Sequence, residues 1–508
     1  MPDILSVHAA QRPEAIALVA GSRQVSYAEL NNRACRAGSM FQALGVGSHG
    51  RVAVQALNSV AGFEIASGLR KLAAVGVPVN FRLRGPELAY ILNDSGARVI
   101  CAGAEFVPGV EEVRAELTAL PVLIALDGHA PAGWLTYDAV MRETPAIEPA
   151  SDIDPGIGAS MIYTSGTTGH PKGAYRPTGV KLESVLEAIQ LFELRPDDVH
   201  LFAGPGYHSA PGYFNALHIA LGAMIVIMER FDATEALRLI ERHHVTTTFM
   251  APTLLHRLVD VPDAASRRHD TSSLRALILG GAPCPFSLKQ RAMDRFGEVL
   301  WEFYGATETG ISLVLRPDEQ LAHPGSVGRV TPNYAIRLTD PDGRDVAEGE
   351  PGELWVRSTN QAMYHNRPEA NAAALRDGFF TVGDIAYRDP EGYYHICDRK
   401  IDMIISGGVN IYPAEVEVCL HAHPAVKDVA VIGVPDEEWG EAVKALVVLR
   451  PGHSASTDAL IAWCRGRIAT YKCPRSIEFV TELPRDLAGK LLKRTIREPY
   501  WAGAGRRI

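Results

Sequence analysis

The sequence predicts an α/β protein: a large N-terminal region of parallel sheets covered by helices, followed by a small α+β unit. Three observations predict it. Strand-like and helix-like segments alternate through the first half, as they do where helices connect parallel strands. After about Pro324 the texture changes to short strands separated by turns rich in Pro, Asp and Gly, which reads as an antiparallel region. The chain has 508 residues. A single core stops growing at roughly 250–300 residues, so at least two domains are needed.

The elements follow in order. Ser26-Tyr-Ala-Glu29 has capping-box spacing, and Leu30, Ala34, Ala37, Phe41 and Leu44 then recur at helical intervals until Gly45 stops the helix. Arg51 to Ala56 reads as a strand, and Lys71 to Pro78 ends a second helix–strand passage. Val99 to Ala102, Val122 to Leu126 and Met161 to Thr164 are further strands. Ala216 to Met228 is the end of a buried helix running into a buried strand. Tyr334 to Leu338, Gly352 to Arg357 and Tyr393 to Cys397 are the short strands beyond Pro324, with turns at Pro341 to Gly343, Glu350 to Gly352 and Asp389 to Gly392. Pro413-Ala-Glu-Val-Glu opens a helix with Pro early and acids in its first turn. Val429 to Val434 and Ala442 to Leu449 are strands around a turn at Pro435-Asp436, followed by a helix near Asp458 to Ala469 and a strand near Ile477 to Val480. The domain boundary falls near Asp398 to Asp402, giving domains 1–398 and 399–508.

Composition excludes several function classes. An apolar fraction of 47% with 21% charged residues suits a globular protein. Fifty basic and 59 acidic residues leave a net charge of −9, which gives no electrostatic footprint for nucleic acid. The most apolar stretch, Ala216 to Met228, is well short of the ~20 residues that span a bilayer, so no membrane span is expected. The seven cysteines, Cys35, Cys101, Cys284, Cys397, Cys419, Cys464 and Cys473, form no C-x-x-C pair and are odd in number. That suits small core residues in a reduced, cytoplasmic compartment. Met1 to His8 lacks the basic and apolar runs of a signal peptide.

The chemistry concentrates in Tyr163 to Ala174. An apolar strand runs into Thr164-Ser-Gly-Thr-Thr-Gly-His-Pro-Lys172, a loop of hydroxyls, glycines and one lysine. Gly166 and Gly169 let backbone N–H groups approach an anion closely. Thr164, Ser165, Thr167 and Thr168 add hydroxyl donors, and Lys172 adds a point charge. The arrangement is that of an oligophosphate holder, but no G-x-x-x-x-G-K-[ST] of the Walker A kind fits it.

This loop resembles the phosphate-binding signature of the adenylate-forming superfamily of acyl/aryl-CoA synthetases, peptide-synthetase adenylation domains and luciferases. Further segments resembling that family's signatures follow in order: Leu277 to Pro283, Tyr304-Gly-Ala-Thr-Glu308, Phe380-Thr-Val-Gly-Asp384, Asp398-Arg399, Ile404 to Pro413, and Leu483 to Lys490. The resemblance covers nearly the whole chain and is strongest to stand-alone acyl-CoA synthetases. It implies a large adenylation domain that includes a β-barrel region, with a small mobile C-terminal lid. The implied reaction uses ATP and Mg²⁺ to convert a carboxylic acid to acyl-AMP, which CoA then takes as a thioester. An amine or a carrier-protein thiol is the alternative acceptor.

The resemblance also implies residue roles. Gly281, Ala282 and Pro283 would line the adenine face and Tyr304 would stack on the base. Asp384 and Arg399 would hold the ribose, Thr307 the α-phosphate and Glu308 the Mg²⁺. Lys490 would stabilise negative charge as the carboxylate attacks the α-phosphate. His208, Ser209, Gly212, Gly280, Gly305 and Ala306 would border the acyl group, and Gly407 and Gly408 would serve the acceptor side. One departure stands out: Ile401 occupies the hinge position where family members often carry Asp or Lys.

Overall fold

The computed structural model describes residues 3–119, 121–128, 130–149, 158–164, 171–262, 269–399, 402–406, 409–436, 439–485 and 491–502, with 399 and 410 in main chain only. Its fold is mixed α/β, built on four sheets. In the first, Ile16–Ala20, Met224–Ile227, Val199–Phe202, Thr247–Met250, Ala276–Leu279 and Leu300–Ala306 run parallel in that spatial order. Antiparallel strands Arg23–Ser26 at one edge and Gly310–Leu315 and Arg329–Val330 at the other complete its nine. In the second, Ser160–Thr164, Val75–Pro78, Arg51–Gln55, Val99–Ala102, Val122–Ala125 and Leu135–Thr136 are parallel. Lys172–Arg176 and Met363–Tyr364 continue it as antiparallel strands.

The expected alternation is therefore present, and its helices join the sheets. The helix Tyr27–Ala43 starts on the Ser26 hydroxyl, which accepts the Glu29 N–H at 3.2 Å. The Glu29 carboxylate accepts from Arg23. Leu30 and Ala34 of this helix pack with Leu18 and Ile225 of the first sheet, while Ala37, Met40 and Phe41 pack with Val52 and Val99 of the second. Its neighbour Val60–Lys71 can approach because Gly68 meets Gly38: a Cβ at Gly68 would lie 2.8 Å from the Gly38 nitrogen.

The antiparallel region expected beyond Pro324 is a five-stranded antiparallel sheet of Ala335–Thr339, Gly352–Arg357, Leu375–Arg376, Phe379–Arg388 and Tyr394–Arg399. It contains a ten-residue strand, Phe379–Arg388, that local sequence does not announce. Gly383 and Asp384 lie inside that strand. The sheet ends at Arg399 and the fourth begins at Ile404.

The fourth sheet joins Ile404–Ser406, Val409–Ile411, Val426–Asp436, Gly440–Leu449 and Ser476–Phe479. Strand alternation sends Val429 and Val431 to one face, against the helices Pro413–His421 and Thr457–Arg465. It sends Ala430 and Ile432 to the other, against the helix Lys493–Trp501. Pro435 and Asp436 do not form the expected turn: they pair with Glu441 and Gly440 as the end of a strand. All seven cysteines are free, and five of them are buried. Among the described residues no helix is long and apolar enough to cross a membrane.

Candidate active site

A cavity of about 2100 Å³ opens where the first three sheets meet. The hairpin of Ser160–Thr164 and Lys172–Arg176 presents Thr164 and Lys172 to it. The strand Leu300–Ala306 leads into Thr307 and Glu308 on its wall, and the strand Phe379–Arg388 brings Asp384. Gly280 and Gly281 follow the strand Ala276–Leu279, while His208, Ser209 and Gly212 open the helix Ser209–Leu221. Gly305 and Ala306 complete the set. Twelve of the sequence-predicted residues thus converge on one cavity from five separated parts of the chain.

Hydrogen bonds tie the wall together. The Thr164 hydroxyl donates to Glu308 Oε1 at 3.1 Å. The Ser209 and Thr307 hydroxyls lie 3.1 Å apart, joining the helix Ser209–Leu221 to the same loop. The Glu308 carbonyl accepts from the Ala362 N–H at 2.7 Å. Glu308 is only 5% exposed, and among the described residues no basic side chain stands within ion-pair distance of it. Gly305 needs its missing side chain, because a Cβ there would collide with the Gly310 carbonyl. Lys172 Nζ lies over the Tyr364 ring, 5.0 Å from its centroid.

Three predicted residues stand off the cavity wall. Ala282 and Pro283 do not line it. Tyr304 alternates with Phe303 and Gly305, so its ring packs instead beside Leu354, Val356 and Ala386. Its hydroxyl donates to Asp384 Oδ2 at 2.5 Å, so it reaches the site through the carboxylate rather than through its ring face. Asp384 also pairs across the sheet with Arg399 in main-chain register. Ser165, Gly166, Thr167, Thr168, Gly169, Gly407, Gly408, Lys490 and the Arg399 side chain lie outside the described residues.

Other residues escaped sequence reasoning. Asn58 donates to the carbonyls of Gly204 at 2.9 Å and Met228 at 3.0 Å and accepts the Gly206 N–H at 2.9 Å, so it fixes the loop leading to His208. Tyr163 donates to Asp94 at 2.8 Å. Burial, with Asp94 beside it, pushes its pKa up and keeps it a neutral donor. Arg176 lines the cavity and donates to two main-chain carbonyls. The only sequence signal for Arg176 was its place two and four residues beyond Ala174 and Lys172, on the same face of one strand.

Residues 5–364 match the AMP-binding enzyme family and residues 415–490 match the AMP-binding enzyme C-terminal domain. The chain is 39% identical over 493 residues to a feruloyl-CoA synthase from Amycolatopsis sp, covering 96% of each chain. It superposes on the structure of the anthranilate CoA ligase AuaEII in complex with anthranoyl-AMP with a TM-score of 0.90 at 29% identity, covering 99% of this chain and 98% of that one. It superposes on the amide bond synthetase McbA from Marinactinospora thermotolerans with a TM-score of 0.86 at 27% identity, over 96% and 97% of the two chains. With residues 5–364 and 415–490 matched by its two family models, the chain belongs to the AMP-binding enzyme family.

Proposed function

We propose that the protein is an AMP-forming acyl-CoA ligase. The observation that supports this reading is the polar run Thr164–Glu308–Thr307–Ser209 across one cavity, which ties the hairpin read as the phosphate holder to the helix Ser209–Leu221 read as the acyl side. Such adjacency is what joining a carboxylate to an α-phosphate requires, because proximity and fixed orientation lower the barrier before any chemistry occurs.

In the first step a carboxylate oxygen attacks the α-phosphorus of ATP, the bond to the bridging oxygen breaks, and pyrophosphate leaves. Thr164 and Lys172 hold phosphate oxygens, Thr307 the α-phosphate, and Asp384 the ribose hydroxyls. Tyr304 keeps the Asp384 carboxylate in place. Glu308 is a buried carboxylate with no basic partner in ion-pair distance among the described residues, which fits Mg²⁺. When bound, Mg²⁺ would neutralise charge on the leaving pyrophosphate. Lys490 supplies the cation for the transition state. In the second step the CoA sulfur attacks the acyl carbon and AMP leaves. The region 399–508 acts as a lid that rotates between steps, withdrawing Lys490 and presenting Gly407 and Gly408.

The test is carboxylate-dependent exchange of pyrophosphate into ATP over a panel of aryl and aliphatic acids. No exchange with any acid would sink the reading. The likeness to McbA favours a second reading, with an amine as acceptor. Product masses with CoA, or with amines, separate the two: an amide and no thioester would replace the CoA assignment.

A further inference from the structure

Among the described residues four Lys and Arg side chains line the cavity: Arg70, Lys172, Arg176 and Arg367. Arg70 is spent on Asp3, and Arg367 on Asp94 at 2.6 Å. Among the described residues, Lys172 and Arg176 have no carboxylate within ion-pair distance. Lys172 stands beside the phosphate loop. Arg176 lies four residues along the same strand face, where nothing in the proposed mechanism uses it.

Its setting is specific. Nε donates to the Asn360 carbonyl at 2.8 Å and Nη2 to the Thr307 carbonyl at 3.0 Å. Two carbonyls on separate loops therefore fix the guanidinium plane. Nη1 makes no hydrogen bond among the described residues. Burial pushes the Arg176 pKa down, opposed by Tyr334, Glu308 and Tyr213 facing it, but a guanidinium stays charged at any working pH. The result is a charged fork, oriented in advance, on the wall of the cavity beside Thr307.

We propose that Arg176 is a further substrate-binding residue that holds an anionic oxygen of the reacting pair, either the acid's carboxylate or the α-phosphate it attacks. The inference rests on the ligase reading. Bringing a carboxylate against a triphosphate sets like charges together in a partly desolvated cavity, and a fixed cation at that point opposes the repulsion. An Arg needed only to brace two carbonyls would do the same work in any ligand state. An Arg that binds an anion affects one substrate more than the other.

The experiment uses the full-length protein with an acid active in the exchange screen. KM for the acid and KM for Mg-ATP are measured in wild type, Arg176→Gln and Arg176→Lys, with nucleotide affinity measured by calorimetry in parallel. Arg176→Gln is expected to raise one KM about tenfold or more, with the other within about twofold, and Arg176→Lys to recover part of the loss. A raised acid KM assigns the carboxylate. A raised Mg-ATP KM with weaker calorimetric binding assigns the α-phosphate. Unchanged KM values with a lowered kcat, or equal rises in both, overturn the proposal and leave a brace. If Arg176→Gln does not fold, Arg176→Lys decides by the same split, since it keeps the charge and loses the fork. A wild type with no exchange sinks the ligase reading itself, whereas an active wild type with unmoved KM values in the variants sinks only the Arg176 assignment.

Discussion

The Thr164 hydroxyl donates to Glu308 Oε1 at 3.1 Å although 144 residues separate them in the chain. The last residue of the strand Ser160–Thr164 is thereby tied to the carboxylate proposed to hold Mg²⁺. Glu308→Gln keeps the shape and removes the charge. The concentration of Mg²⁺ giving half-maximal pyrophosphate exchange is expected to rise about tenfold, equivalent to about 1.4 kcal/mol. A magnesium titration that superposes on wild type would remove Glu308 from the site.

Tyr304 and Asp384 share a hydrogen bond to a charged group, worth about 1.5–3 kcal/mol when lost. Tyr304→Phe keeps the ring and deletes the hydroxyl. If Tyr304 acts by holding Asp384, the KM for ATP rises roughly tenfold while the KM for the acid stays put. If ring stacking on adenine were its role, Tyr304→Phe would be nearly silent, and steady-state kinetics would show it.

Lys490→Ala tests the transition-state role. Removing one charge-stabilising donor costs about 10²–10³ in rate elsewhere, and a similar fall in the exchange rate is expected here. ATP affinity by calorimetry should change by less than about threefold. Equal losses in rate and affinity would make Lys490 a ground-state binder.

Acid sensitivity should arise behind the acyl-side helix. His218 Nδ1 donates to the Phe214 carbonyl at 2.7 Å, so in the neutral ring Nε2 accepts from the Thr247 hydroxyl at 2.9 Å. The Thr247 oxygen then accepts from His200 Nδ1 at 3.0 Å. Burial lowers the His218 pKa to about 4 and pushes His200 below its ordinary value. Both folded-state values lie below the unfolded one, so their contribution is complete above pH 6.5 and falls as pH drops below it, for His218 down to about 4. Below 6.5 the loss is on the order of 1 kcal/mol per pH unit per histidine. Thermal melts from pH 7.5 to 4.5 should slope downward, and His218→Gln should flatten the slope. An unchanged slope would exclude the pair as its source.

The parallel core was legible because buried strands such as Val99–Ala102 and amphipathic helices such as Tyr27–Ala43 carry their periodicity in local sequence. The strand Phe379–Arg388 was not, since Thr381, Gly383 and Asp384 interrupt its pattern and only pairing with Gly352–Arg357 and Tyr394–Arg399 makes it a strand. The turn placed at Pro435-Asp436 failed for the same reason: cross-strand pairing with Gly440 and Glu441 outweighed the local preference of Pro and Asp for turns.

The sequence by itself named the candidate residue types for the proposed chemistry: the hydroxyls and glycines of 164–169, the acids Glu308 and Asp384, and the cations Lys172 and Lys490. It did so because ordered motifs constrain residue type and spacing directly. Only the tertiary structure decided which way those side chains face. Strand alternation turned Tyr304 from the cavity toward Asp384 and turned Arg176 into it. Facing is set by register and by which loops meet across the sheets, as in the contacts Tyr304–Asp384 and Arg176–Thr307, 80 and 131 positions apart, which no local pattern encodes.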